Sequence, residues 1–363
     1  MRVAYLLTQD SGGPVDVTVR LARAVMELGV EVRVFGPVPR RGVEELGGCH
    51  EVVEVGDKVD VRAGRRARAV VRGWRPDVVH AQDRRAGLVS AGLRLRHKVV
   101  QTYHGVPDDV GEEWFRGGKG AVGPSAYTRA VLAADAVVAR AVHRTVVPAQ
   151  AMGRFLAARL KVPEARLAHI DNCVEPAHVQ PPVGPVRRLV FVGLLVERKG
   201  LATLLAALAL PGVMPVDATL TVVGDGPERA KAEELARALG GRVEFLGFRS
   251  DVPELLRHHD ALVLPSTMEQ QPLVVAEAMA AGKPVVATDT GGVADMLGCA
   301  GADGALAAPG DVDGLADRLR ALFAEPDAAR IGLELAERAR ERFAPHVCAR
   351  RHLDLYRRLI DNP

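Results

Sequence analysis

The chain has 363 residues, long for one hydrophobic core and comfortable for two domains. With 48% hydrophobic and 26% charged residues its composition is globular, and a net charge of +3 gives no overall drive toward nucleic acid. No stretch approaches the roughly 20 apolar residues that cross a bilayer, and the N-terminal apolar run, residues 3–7, is too short for the core of a signal peptide.

Cys49, Cys173, Cys299 and Cys348 lie far apart with no CxxC spacing. That argues against a zinc site or a disulfide framework, and for a reducing cytoplasm. Residues 3–7 read as a buried parallel strand. Gly12-Gly13-Pro14 turns the chain into a helix over about 15–28, with Val17, Leu21, Val25 and Leu28 near one face. Gly29 stops it and residues 30–35 form the next strand. This βαβ unit lacks the G-x-G-x-x-G fingerprint. Gly12 and Gly13 bring the backbone close to a ligand, or simply make a tight loop; both readings stand.

Further strands are expected at 52–55, 78–81, 99–103, 136–138 and 166–170. Residues 56–98 carry twelve Lys or Arg against four Asp. An anionic acceptor or a membrane surface would suit them, and so would a solvated helix face. In the glycine-rich stretch 108–127, Trp114-Phe115 is expected to be exposed, on an acceptor loop or an ordinary surface loop. From 175 to 188 the chain reads EPAHVQPPVGPVRR, whose four prolines and lack of periodicity mark a linker. The pattern then restarts. Strands at 189–192, 220–223, 243–245, 261–264, 285–287 and 305–307 alternate with helices. Helices at about 312–323 and 328–342 follow, and a last one at 346–360. Two such runs argue for two doubly wound α/β domains with a ligand cleft between them.

Residues able to carry chemistry sit at strand ends. His104 closes VVQTYH and is followed by glycine, in a catalytic or a structural role. Gly193 ends another strand, with Arg198 and Lys199 just before a helix, where a lysine would neutralise phosphate oxygens. Gly224-Asp225-Gly226 is a small-residue turn after a third. The stretch from Glu269, EQQPLVVAEAMAAGKPVVATDTGG, is loop, helix and strand, with Glu269 on the loop and Glu277 on the helix. Backbone N–H groups at the helix start favour phosphate, and carboxylates accept from ligand hydroxyls. A ligand with both groups, such as a nucleotide sugar, fits. His258 and His259 diverge in direction on their helix, so no metal is expected.

The two glutamates with EAMAAGKPVVAT, together with Lys199, the Gly224 turn and His104, resemble the retaining GT-B glycosyltransferases. That large family includes sucrose synthase and bacterial mannosyl- and N-acetylglucosaminyltransferases. The resemblance implies a GT-B fold of two Rossmann-like domains facing across a cleft. An acceptor-side domain over 1–180 would be joined by the terminal helix 346–363, and a donor domain would span 187–345. It implies that Glu277 accepts from ribose hydroxyls, Glu269 contacts the donor sugar, Lys199 holds the diphosphate and His104 contacts the sugar from the other domain. Gly12, Gly13, Gly193, Arg198, Gly224, Gln270, Gln271, Leu273 and Val274 would complete the donor site, Pro272 having no N–H to give.

Three positions depart from the family pattern: Leu194 replaces the arginine after Gly193, Gln270-Gln271 replaces a Gly-Phe pair, and Cys173 replaces the glycine of Asn-Gly-Val. The implied activity is retaining, metal-independent transfer from a UDP- or GDP-sugar co-substrate to a small soluble acceptor, such as an aminocyclitol, inositol or natural-product glycoside, in the cytoplasm. Alternatives are a lipid-linked acceptor with peripheral membrane contact, an epimerase or phosphorylase relative, and a non-catalytic partner subunit.

Overall fold

Runs of Val, Leu and Ala flanked by glycine form strands buried on both faces, which is what an all-parallel sheet requires. In the computed structural model, which describes residues 1–55, 60–298 and 305–361, the chain divides into two units. The first comprises Met1–Val174 and Phe343–Pro363, the second Glu175–Arg342.

The first unit holds β1 (Arg2–Leu6), β2 (Glu31–Gly36), β3 (His50–Val52), β4 (Val78–Ala81), β5 (Lys98–Thr102), β6 (Arg144–Val147) and β7 (Leu167–His169). Their order is β3-β2-β1-β4-β5-β6-β7, all parallel. Its helices are α1 (Gly13–Glu27), α2 (Val61–Gly73), α3 (Arg84–Ala91), α4 (Glu112–Arg116), α5 (Ala126–Ala141), α6 (Gln150–Ala158) and the terminal helix Pro345–Asp361. The second unit holds β8 (Arg188–Val192), β9 (Thr219–Val223), β10 (Val243–Gly247), β11 (Ala261–Leu264), β12 (Val285–Thr288) and β13 (Leu306–Ala307), in the order β10-β9-β8-β11-β12-β13. Strand order reverses between β1 and β4 and again between β8 and β11. Ligands of open α/β sheets bind at such reversals, beyond the carboxyl ends of the strands.

Several expectations need correction. Residues 136–138 are not a strand but part of α5, because Leu132, Ala136 and Ala139 repeat at helical spacing on its buried face and Ser125 caps its start by accepting from Thr128 N–H at 3.2 Å. The sheet position belongs to β6, just downstream. The third strand is His50–Val52 rather than 52–55, although Val53 and Val55 are buried beside it. Trp114 and Phe115 are not exposed: both lie on α4 and pack on Phe155, with ring centroids 5.8 and 4.8 Å away. In the basic run 56–98, residues 56–59 lie outside the described residues, as does Cys299. On α2, Arg62, Arg65, Arg66 and Arg72 face solvent while Ala63, Ala67 and Val71 are buried, so that part of the run is a solvated helix face. Among the described residues no helix is long and apolar enough to cross a membrane.

A polar network runs through the core of the first unit. His80 is fully buried; its Nδ1 lies 2.6 Å from Tyr356 Oη of the terminal helix and its Nε2 2.8 Å from Thr102 Oγ1. His352 Nδ1 donates to the Cys348 carbonyl at 2.8 Å. Burial pushes His80 well below the ordinary histidine value. Burial also lowers His104 and His352 to about 4 each, with the neighbouring His352 adding to the effect on His104. Folded-state values below the unfolded 6.5 mean that the unfolded chain takes up protons first on acidification. The stability these groups contribute is therefore complete above pH 6.5 and lost as pH falls toward 4. The urea midpoint should drop across that window, and less steeply in His104→Gln, which removes one proton from the difference.

Candidate active site

In the second unit the exits of β8 and β11 lie side by side at the strand-order reversal, and both carry charge. After β8 the chain passes Gly193 and Leu194 into a short 3-10 turn, Glu197–Lys199. After β11 it turns through Ser266 to Glu269. Lys199 Nζ donates to Glu269 Oε1 at 2.5 Å, and Ser266 Oγ donates to the same oxygen at 2.8 Å. Glu269 is only 8% exposed and the Lys199 side chain 15%, so this is a part-buried pair with a hydroxyl in support.

The two loops are held together by backbone. Thr267 N–H donates to the Arg198 carbonyl at 2.8 Å, and Thr288 Oγ1 donates to the Ser266 carbonyl. Two glycines permit the approach. Gly200 has φ +69°, and a Cβ there would stand 1.9 Å from the Pro265 carbonyl oxygen. Gly291 has φ +50°, and a Cβ there would stand 1.9 Å from the Glu269 carbonyl oxygen. A side chain at either position would drive Lys199 and Glu269 apart. Gly193 N–H bonds the Val223 carbonyl at 2.9 Å, and Gly224, after β9, bonds Gly247 at 2.8 Å, so both small residues line the same edge of the sheet. Leu194, at the position of the missing arginine, is 61% exposed.

The helix Leu273–Ala280 opens directly after Pro272, which offers no side-chain cap. Its start is an uncapped N-terminus, a natural place for an anion. Leu273, Val274 and Glu277 share its partly exposed face, while Val275, Ala276, Ala278 and Met279 are buried. Gln270 and Gln271 are both buried in the loop before it. Gln270 Oε1 and Nε2 have no hydrogen-bond partner. The structure thus joins Lys199 to Glu269 directly, and ties Arg198, Gln270 and Gln271 to the same two loops.

The first unit builds its own edge. Thr8 donates to Asp83 through its N–H at 2.6 Å and its hydroxyl at 2.8 Å, and Asp83 also caps α3 through Ala86 N–H at 2.8 Å. This ties the loop after β1 to the end of β4. Gly12, at φ +99°, precedes α1, and Gly13 is its first residue; no side chain caps that helix. His104 follows β5, with Nε2 3.3 Å from Gln82 Oε1. At a value of about 4 the ring is neutral at pH 7 and so both donates and accepts. Arg84 Nε donates to both Asp135 oxygens at 2.8 Å, and Tyr103 Oη donates to Asp135 at 2.7 Å, which steadies the strand end that carries His104.

Sequence reasoning missed Ser266, Thr288, Gln82 and Asp83. Gln82-Asp83, a polar pair directly after a strand, was a usable signal. Ser266 was not, because serine after a strand is common and only the turn brings its hydroxyl to Glu269.

Residues 11–178 match the Glycosyltransferase Family 4 domain and residues 186–325 the Glycosyl transferases group 1 domain. Glycogen synthase of Mycobacterium tuberculosis is 30% identical over 287 residues, which cover 74% of this chain and 66% of that protein. The 2-deoxystreptamine glucosyltransferase of Streptomyces kanamyceticus is 34% identical over 182 residues, 49% of this chain and 46% of that one. The chain spans less than two thirds of the length of these curated relatives. In three dimensions it is similar to HepE of Anabaena, solved in complex with UDP, at a TM-score of 0.80 and 21% identity, with 99% of this chain and 100% of that chain covered. With two parallel-sheet domains and both glycosyltransferase domains matched in sequence, the chain belongs to the GT-B glycosyltransferases.

Proposed function

We propose that the protein transfers a glycosyl group from a nucleoside diphosphate sugar to a hydroxyl of a small soluble acceptor in the cytoplasm, with retention at the anomeric carbon and without a metal ion. The observation that carries this is the loop 266–271. It joins a part-buried Lys199–Glu269 pair to a buried carboxamide, Gln270, whose oxygen and nitrogen are both unbonded. A buried polar group left without a partner costs about 1–3 kcal/mol. Sugar hydroxyls, which donate and accept, satisfy both atoms at once.

In this assignment Lys199, Arg198 and the start of the helix Leu273–Ala280 at Leu273 and Val274 take the diphosphate, and Glu277 accepts from ribose. Lys199 keeps further N–H donors for phosphate beyond the one it gives Glu269. Gly193 and Gly224 admit the ligand close to the backbone. Glu269, Gln270 and Gln271 contact the transferred sugar, and His104, with Gly12 and Gly13, acts from the first domain. The anomeric carbon–oxygen bond breaks with its electron pair going to the diphosphate, the acceptor oxygen bonds that carbon, and the acceptor proton passes to the leaving phosphate oxygen. Cationic groups preplaced where charge develops provide the stabilisation. The relative that acts on 2-deoxystreptamine supports an aminocyclitol acceptor.

Incubation with UDP- and GDP-sugars and a panel of aminocyclitol, inositol and glycoside acceptors should give a product whose anomeric configuration, read by NMR, matches the donor; absence of both transfer and donor hydrolysis would defeat the assignment. Glu277→Ala should lower kcat/KM for the donor by about ten- to a hundredfold, the worth of charge-assisted hydrogen bonds. Gln270→Leu should leave the free protein as stable or more so, and weaken donor binding at least about tenfold; unchanged donor affinity would remove Gln270 from the site. Excess EDTA should leave turnover unaltered, and a loss restored by a divalent cation would show a metal requirement.

A further inference from the structure

The carboxyl edge of the first unit's sheet carries Gly12, Gly13 and His104. Its opposite edge, where β5, β6 and β7 begin, has a different character. A cavity of about 600 Å³ opens there, lined by Arg94, His143, Arg144, Arg166 and, from the terminal helix, Leu355 and Arg358. Its size falls within the roughly 300–1,000 Å³ of small-molecule sites. It adjoins a second depression of about 410 Å³ that shares Arg144, Leu355 and Arg358 and adds Arg351.

Four guanidinium groups line one cavity, and none of them pairs with a carboxylate among the described residues. Elsewhere arginines on this chain are commonly matched: Arg84 with Asp135, Arg187 with Asp217, Arg188 with Asp260, Arg342 with Asp295. The nearby acids are already engaged, Asp354 with Arg357 at 3.6 Å and Asp171 with Arg351 at 3.3 Å. Two of the four are fixed by backbone. Arg144 Nη1 donates to the His143 carbonyl at 2.8 Å and Arg166 Nη1 to the Val142 carbonyl at 2.6 Å, and each keeps further N–H donors. His143 Nδ1 accepts from Val99 N–H at 3.0 Å, so its neutral ring carries the proton on Nε2 and is a further donor. Burial, and then the positive charges of Lys98, Arg94, Arg166 and Arg144, hold the His143 value down. The site is therefore all donors and no acceptor charge, with a leucine beside it. Like charges crowded this way repel one another, and a dianion relieves the repulsion. Arginine's planar fork suits phosphate oxygens in particular.

We propose that this cavity is a second anion site, separate from the one at Lys199, which binds the phosphate group of a phosphate ester. The ester is either a soluble phosphorylated compound or the headgroup of an anionic lipid. The proposal does not depend on the donor-site assignment.

The test uses the whole chain and inorganic pyrophosphate, followed by calorimetric titration, with wild type, Arg94→Gln/Arg358→Gln and Lys199→Ala compared. Arg94 and Arg358 are exposed and their side chains hold no other group in place, so the double variant should fold, with a Tm in phosphate-free buffer equal to or above that of wild type. A pyrophosphate site should persist in Lys199→Ala and weaken at least about tenfold in the double variant, as expected for lost charge-assisted hydrogen bonds. Sedimentation with phosphatidylglycerol vesicles, against phosphatidylcholine vesicles as control, separates the two sources. Binding to the former that the double variant loses assigns the site to a lipid headgroup, and a titration lost without any vesicle binding assigns it to a soluble ester. Pyrophosphate binding abolished by Lys199→Ala alone, or equal in wild type and the double variant with no difference in vesicle binding, overturns the proposal.

Discussion

The contact between Lys199 and Glu269 sets the geometry of the carboxyl edge of the second domain's sheet. Two opposite charges taken out of water gain little net stability, because desolvation offsets their attraction, but removing one partner alone costs about 3–5 kcal/mol. Such a pair is a poor source of stability and a good positional constraint. It requires the loop after β8 and the loop after β11 to meet, and the glycines at 200 and 291 are the backbone consequence of that demand. Ser266 then supports the carboxylate, Thr288 supports the Ser266 turn, and Gln270 follows buried and unbonded. Each of these features would relax if the two charges were allowed to separate.

The first domain solves a different problem. Its carboxyl edge is kept polar but uncharged at the histidines, because burial denies His80, His104 and His352 their protons at neutral pH. A neutral imidazole at His104 can serve a hydroxyl without imposing a charge. The terminal helix takes part in this arrangement, since Tyr356 closes on His80 and His352 lies beside it. Its far end contributes Leu355 and Arg358 to the cationic cavity at the other edge of the same sheet. Histidines held neutral thus lie toward one edge of the sheet and a strongly basic cavity at the other, and the terminal helix contributes to both.

The departures from the family pattern acquire a physical meaning in this setting. Leu194 gives the loop after β8 an exposed apolar side chain where an arginine is usual, which leaves Lys199 and Arg198 as the side-chain cations of that loop. Gln270 and Gln271 put amide groups, rather than a glycine and an aromatic ring, into a buried turn. The buried, unbonded amide of Gln270 is costly unless a ligand completes its hydrogen bonds. Cys173 is buried with Sγ 3.8 Å from the Val17 carbonyl, so that substitution is absorbed by packing against α1.

Much of this protein is determined by sequence periodicity and local chemistry. Short apolar runs punctuated by glycine are buried parallel strands because nothing else hides their backbone, and two such series follow one another along the chain. Glu269 and Lys199 were legible as candidates because each stands between a strand and the following helix, and Glu277 because it lies on the partly exposed face of such a helix, which are local positions. What sequence left undecided depended on partners distant along the chain. Residues 136–138 are apolar enough for a strand, and only the caps and contacts of α5 make them helix. Trp114 and Phe115 lie in a glycine-rich stretch, and packing on Phe155, 40 residues or more downstream, is what covers them. The pairing of Lys199 with Glu269 across 70 residues, the orphaned amide of Gln270 and the gathering of Arg94, Arg144, Arg166 and Arg358 all arise from tertiary contact. Strand order decides which loops become neighbours, and no local pattern encodes it.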